Sequence, residues 1–249
     1  FGFGIGAVLV LAAAGRVQLH ASNKGLLIAR GVFGGGGILL YFIALAGGSL
    51  TNSTVLNNTY PIFATLAAAV TLKERIGWGT ALSLVLSWIG VGMLIHPDFH
   101  HLFWPDLLAL ISGVLGGVAI VVIRELRRNN ESAWTVFFYL SIFGFLASLA
   151  FALPVWVWPD EASIWYLLLT AVFGLIAQVT MTASYKYCRT AIGSILSMTT
   201  MVFTALIGLT FLGEKLTMLE AAGTALIVLG CAVAVWLAEA KPKEKICEG

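Results

Sequence analysis

Apolar stretches of about twenty residues, each long enough to cross a bilayer as a helix, follow one another along almost the whole chain. They fall at 1–15, 25–47, 51–72, 76–96, 104–123, 134–156, 163–186, 191–212 and 216–238, and only short joints separate them. The joints are too short to hold a second kind of structure. With 59% hydrophobic and 10% charged residues, against about 25% charged in a soluble domain, the chain has too little polar surface to face water. The pattern predicts an all-α, polytopic membrane protein with nine visible transmembrane helices. A transmembrane barrel would show short alternating segments instead.

The charges sort by joint. Arg16, Lys24 and Arg30, then Lys73 and Arg75, then Arg124, Arg127 and Arg128, then Lys186 and Arg189, and finally the tail residues Lys241, Lys243 and Lys245 occupy alternate joints. Of the 14 Lys and Arg residues, only Lys215 lies on the other side, with Asp98, Asp106, Asp160, Glu161 and Glu214. The positive-inside rule then places the C-terminus in the cytoplasm, and Trp104, Trp156, Trp158 and Trp165 form an aromatic belt at the outer interface. A net charge of +2 gives no reason to expect nucleic acid. Cys188, Cys231 and Cys247 have no metal spacing and form no disulfide framework. No cofactor is indicated. His96, His100 and His101 beside Asp98 fit no metal signature.

Sliding the chain by 140 residues lays 51–96 on 191–236 with nine identities, among them Thr59 on Thr199, Phe63 on Phe203, Glu74 on Glu214 and Gly90 on Gly230. An odd number of spans per copy makes the copies point opposite ways, as in the inverted repeats of secondary transporters. The expected units are residues 1–97, residues 104–240 in inverted orientation, and a basic cytoplasmic tail at 241–249. The slide carries the partner of Trp104 to a position before residue 1. The expectation is therefore a ten-helix, 5+5 parent whose first helix is absent from this sequence.

Several stretches carry a family likeness: Arg30-Gly31 followed by Leu40-Tyr41-Phe42-Ile43-Ala44-Leu45, Asn57-x-x-x-Pro61-Ile62-Phe63, Leu72-Lys73-Glu74-Arg75 and Gly90-Val91. In the second half, Ala183-Ser184-Tyr185, Gly213-Glu214-Lys215-Leu216 and Gly223-Thr224-Ala225-Leu226-Ile227 are alike in kind. Together they resemble the EamA-type branch of the drug/metabolite transporter superfamily. The resemblance implies a carrier of small organic solutes such as amino acids or related metabolites, often exported, in a bacterial inner membrane. It also implies a glycine before the first Glu, where this chain has Lys73.

No ionisable residue lies mid-span, and Arg30, Asp106 and Glu220 sit near helix ends, where long side chains can reach the interface. That points to a neutral or zwitterionic solute. Mid-span polar groups form stripes: Thr51, Thr54, Asn58, Pro61 and Thr65, with Asn57 beside them; Gln178, Thr182 and Tyr185; Ser194, Ser197, Met201 and Thr204; and Gly34, Gly37 and Tyr41. Amides facing lipid would leave donors and acceptors unpaired, so these faces point inward, either bonding neighbouring helices or lining a solute cavity. The candidate solute-binding residues are Tyr41, Asn57, Asn58, Gln178, Thr182 and Ser197, and Asn58 and Gln178 are expected to matter for transport. Pro61 frees the carbonyl of Asn57 from its helical bond, which allows a solute contact or a kink. Glu74 and Glu214, each at a joint between two spans, read as structural, the alternative being a gate latch in which Glu214 or Lys215 meets charges on a neighbouring outer loop. A non-transporting scaffold would make every stripe interhelical. An intramembrane enzyme would need a nucleophile with its base, or a metal cluster, within the spans.

Overall fold

Hydrogen bonding decides where these apolar stretches stay whole and where they break. The structure, a computed structural model, describes residues 1–95, 104–211 and 217–239. Every regular element among them is helical: α1 Gly2–Ala13, α2 Lys24–Gly47, α3 Leu50–Asn57, α4 Tyr60–Thr71, α5 Trp78–Ile95, α6 Trp104–Arg128, α7 Ala133–Ala152, α8 Glu161–Ser184, α9 Thr190–Ser197, α10 Thr199–Phe211 and α11 Met218–Glu239, with one short 3-10 turn after α7. Among the described residues, seven stretches are long and apolar enough to cross a membrane, and α1 is a shorter apolar helix. Expected span 51–72 is not one of the seven. It divides into α3 and α4, of 8 and 12 residues, and a 12-residue helix rises about 18 Å of the roughly 30 Å hydrocarbon thickness. The chain is a multi-pass membrane protein whose apolar residues face outward on most helices, Phe42, Val70, Phe151 and Phe173 among them.

Two stretches break near mid-length, and each break has side chains to take over the backbone's bonds. Pro61, near the start of α4, cannot donate to the carbonyl of Asn57. The Asn58 side-chain amide donates to the Thr54 carbonyl at 2.8 Å and the Thr59 hydroxyl to the Leu56 carbonyl at 2.6 Å. At the second break only Met198 separates α9 from α10. There the Ser197 and Thr199 hydroxyls each donate to a carbonyl three residues back, at 2.7 Å. These bonds add polar partners beside each break, where the bilayer offers no water.

Small residues set the packing. A methyl group on Gly113 would come within 2.9–3.0 Å of the Leu56 and Asn57 carbonyls, and one on Gly117 would meet Phe63 and Ala64 at 2.7 Å. Helix α6 therefore backs directly onto the first break, and the Asn57 carbonyl rests against α6. Gly31 and Gly35 seat α2 on α7 at Phe143 and Gly144. Helices α5 and α11 cross antiparallel and reciprocally: Gly90 meets Gly223 and Ile227, and Gly230 meets Ser83 and Ser87. Buried apolar clusters fill the two sides, one of Val55, Leu84, Val91, Ile195, Met198 and Ile227, the other of Leu27, Ala64, Ile120, Ile123, Val136 and Tyr185.

The helix ends follow their sequence signals. Asn23, Ser49 and Ser132 cap α2, α3 and α7. Thr217 and Glu220 form a reciprocal capping box before α11 (Thr217 N–H to Glu220 at 2.6 Å, Glu220 N–H to Thr217 at 3.3 Å), as the Thr-x-x-Glu spacing predicts. Trp104, Trp156, Trp158 and Trp165 are all exposed, as an interfacial belt requires. Glu214, Lys215, Asp98, the three clustered histidines and the basic tail lie outside the described residues.

Helix α4 ends in a left-handed turn at Lys73, φ 53°, and the Glu74 N–H returns to the Ala68 carbonyl at 3.2 Å. This is the helix stop in which glycine avoids the Cβ penalty, and it explains the glycine implied at position 73. Lys73→Gly should raise stability by about 1 kcal/mol, read as a higher unfolding temperature in detergent. A lower temperature would show that the Lys73 side chain contributes more than its backbone strain costs.

Candidate functional site

The broken helices meet at their breaks. The hydroxyl of Tyr60, the first residue of α4, bonds that of Ser197, the last residue of α9. Tyr60 also packs against the buried apolar cluster that contains Tyr185, at the end of α8, and the Tyr185 ring lies on Gly193 of α9. The first break, the second break and the end of α8 thus converge.

The structure divides the six candidate residues into two groups. Tyr41, Asn57 and Asn58 belong to a knot between α2, α3 and α6. The Tyr41 hydroxyl pairs with Thr54 at 3.1 Å, the Asn57 amide donates to Ser112 at 2.8 Å, and the Asn58 amide is taken up by the Thr54 carbonyl. Gln178 and Ser197 belong to the convergence around Tyr60 and Tyr185, with Thr182, buried one turn beyond Gln178 on α8. Most Ser and Thr hydroxyls neither bridge helices nor face a cavity. Thr65, Ser83, Ser194, Thr204 and Thr224 bond the carbonyl four residues back on their own helices, a local satisfaction open to any short hydroxyl side chain.

Arg30 overturns one expectation. Instead of reaching back to the interface, its side chain lies inside the bundle, 4% exposed, and its Nη2 donates to Gln178 Oε1 at 3.4 Å. The reason is four residues further along α2. A methyl on Gly34 would sit 1.6 Å from Arg30 Nη1, so the guanidinium occupies the space that the glycine leaves. A glycine at the fourth position after an arginine was the available sequence signal. Tyr185 was legible only as a member of a stripe, and Tyr60 was not singled out by the sequence.

Glu74 closes the basic end of the bundle. Its carboxylate accepts from the Thr190 backbone N–H at 3.0 Å and hydroxyl at 3.3 Å, at the start of α9, and pairs with Arg124 Nε of α6 at 3.4 Å. Arg124 Nη1 also donates to the Tyr185 and Lys186 carbonyls at 2.6 and 3.2 Å. One carboxylate thereby joins α6, the α8–α9 joint and the α4–α5 joint. On the same end Glu131 accepts from the backbone N–H groups of Ser22 and Asn23 at 2.6 and 2.7 Å, and a shallow cleft among Arg16, His20, Asn130, Glu131 and Trp134 lies beside it. Among the described residues no three His, Cys, Asp or Glu side chains stand close enough to hold a metal.

Known proteins resemble this chain in sequence and in fold. The profile of the EamA-like transporter family matches residues 1–95 and 103–236. The pseudopaline exporter CntI of Pseudomonas aeruginosa is 28% identical over 91% of this chain and 81% of its own length. Human solute carrier family 35 member G1 is 24% identical over 86% of this chain and 64% of its own length. The S-adenosylmethionine uptake transporter of Rickettsia bellii is 23% identical over 73% of this chain and 66% of its own. A solved crystal structure superposes with a TM-score of 0.78, covering 94% of this chain and 86% of that one at 23% identity, which establishes the likeness of fold.

Glu74→Ala leaves the guanidinium of Arg124, 9% exposed in its side chain, without its carboxylate. The expected loss is about 3 kcal/mol, measured by chemical unfolding in detergent. A loss under about 0.5 kcal/mol would show that the Arg124 bonds to Tyr185 and Lys186 suffice.

Proposed function

This chain belongs to the EamA-like transporter family, and from that premise we propose that it is a secondary carrier. It moves a small organic solute, neutral overall or zwitterionic, by alternating access between the two sides of the bilayer. The observation that carries this reading is the meeting of two helices, each broken near mid-length, at Tyr60 and Ser197. Discontinuous helices in corresponding positions of two halves are the hallmark of solute sites near the bilayer midplane.

The correspondence supports reading two inverted copies, at 1–97 and 104–240. Helix α3 at 50–57 and α9 at 190–197 differ by 140 residues at both ends, and α5 and α11 begin at Trp78 and Met218 with the same offset. Their reciprocal antiparallel crossing at Gly90 and Gly230 has the pairing of a two-fold axis between like elements. In this reading α1 and the α3–α4 pair are also crossings, which gives nine. The basic joints lie in the cytoplasm and the bundle is closed on that side by Glu74, Arg124 and Thr190. The similarity to a pseudopaline exporter favours export.

Within the candidate set, Gln178, Thr182 and Ser197, joined by Tyr60, face the solute. Tyr41, Asn57 and Asn58 hold α2, α3 and α6 together. In proteoliposomes screened with amino acids and amines, counterflow should be measurable. Gln178→Ala should slow it about tenfold, the equivalent of one charge-assisted hydrogen bond, while Asn58→Ala should mainly lower the unfolding temperature. Counterflow unaffected by Gln178→Ala but abolished by Asn58→Ala would move the site to the other group. No counterflow of any solute would remove the carrier reading.

A further inference from the structure

Among the described residues Arg30 is a buried cation without an anion. It is 4% exposed, and its one hydrogen bond among the described residues is the long one to Gln178 at 3.4 Å. Its Nε has no acceptor. The carboxylates of the inner half are already engaged, Glu74 by Arg124 and Thr190, and Glu131 by Ser22 and Asn23. Within electrostatic reach of the guanidinium is Tyr185, buried, its hydroxyl also without a partner among the described residues. A charge held in a low-dielectric interior by one neutral acceptor is costly, and a flexible arginine near a helix end could escape by reaching the interface. Here Gly34 gives the guanidinium its place inside, since a methyl there would lie 1.6 Å from Nη1.

We infer that Arg30, with Gln178 and Tyr185 nearby, is the anchor for a carboxylate on the transported solute. The inference rests on the carrier reading above and adds the chemical class of the cargo. A guanidinium offers a planar fork matched to a carboxylate, and the Tyr185 hydroxyl adds a free donor. The formal charge favours a monoanionic group. A phosphate dianion would call for a second cation, and Arg124 is taken by Glu74. Tyr185 belongs to the buried cluster against which Tyr60 packs, and the Tyr60 hydroxyl bonds Ser197, so the anchor adjoins the meeting point of the broken helices. A zwitterion would place its carboxylate at Arg30 and the rest of its body toward that meeting point.

The test uses the whole protein in two measurements. The first is counterflow in proteoliposomes of matched pairs that differ at the carboxylate, L-leucine with leucinol and L-methionine with methioninol. The second is the unfolding temperature of purified protein titrated with potassium propionate against potassium chloride at equal ionic strength. Wild type should favour the carboxylated member of a pair by about tenfold or more, as expected for a hydrogen bond to a charged group, and propionate should raise its unfolding temperature saturably. Arg30→Gln should bring the ratio near one and abolish the propionate shift. Arg30→Lys, which keeps the charge but not the fork, should fall between. Gly34→Ala, which displaces the guanidinium without removing it, should weaken both readouts. A propionate shift that is absent in wild type or persists in Arg30→Gln overturns the inference, as does an unchanged ratio. A merely structural tie between α2 and α8 predicts that Arg30→Gln unfolds earlier with its solute preference intact. Absence of all counterflow bears on the carrier reading, and the propionate titration then decides the anchor alone.

Discussion

Backbone amides and carbonyls inside a bilayer have no water to bond, so a helix can break there only where protein supplies the missing partners. This chain breaks two helices near mid-length, and much else in the fold serves those breaks. Asn58, Thr59, Ser197 and Thr199 bond the carbonyls near the breaks. Gly113 and Gly117 allow α6 to lie against the first break, and Met198 is fully buried at the second. Once two such breaks exist in one bundle, setting them against each other leaves the fewest polar groups facing lipid, and the Tyr60–Ser197 bond is the product.

The polar side chains do different work according to distance from that point. Several hydroxyls away from the breaks, those of Ser83, Thr204 and Thr224 among them, bond carbonyls of their own helices. The Tyr41–Thr54 and Asn57–Ser112 bonds lock α2, α3 and α6 into one body. The carboxylate of Glu74 ties the start of α9 to α6 at the basic end, where an opening toward that side would have to part it from Thr190 or Arg124. The broken helices thus lie between a fixed knot and a separable clasp, an arrangement suited to alternating access.

Much of this was legible in the sequence. Apolar run lengths gave the membrane class, and Thr217-x-x-Glu220 gave the cap of α11. Pro61 with Asn57 and Asn58 marked where the first helix departs from regularity. The second break was hidden because Ser197-Met198-Thr199 contains no proline and has an apolar average like its surroundings. Amide count does not by itself separate a solute-facing residue from one that ties helices together. Asn58 has ample hydrogen-bonding capacity, and its side chain donates to the Thr54 carbonyl, which also accepts the Asn58 backbone N–H. Arg30 was placed at the interface because rank from the helix end was weighed without Gly34, the residue that makes the inward rotamer possible. Position 73 shows the reverse case, where the φ angle of Lys73 explains a departure that the sequence left as a bare difference.

The central claim is that the basic end opens and closes around the meeting point of the two broken helices. Spin labels at the exposed positions Lys73 and Lys186, in protein whose three cysteines have been replaced, would report the distance across the Glu74 clasp by pulsed electron resonance. The account predicts two distance populations in lipid, with the longer one enriched by Glu74→Ala. A single distance, unchanged by Glu74→Ala and by every solute that supports counterflow, would contradict it.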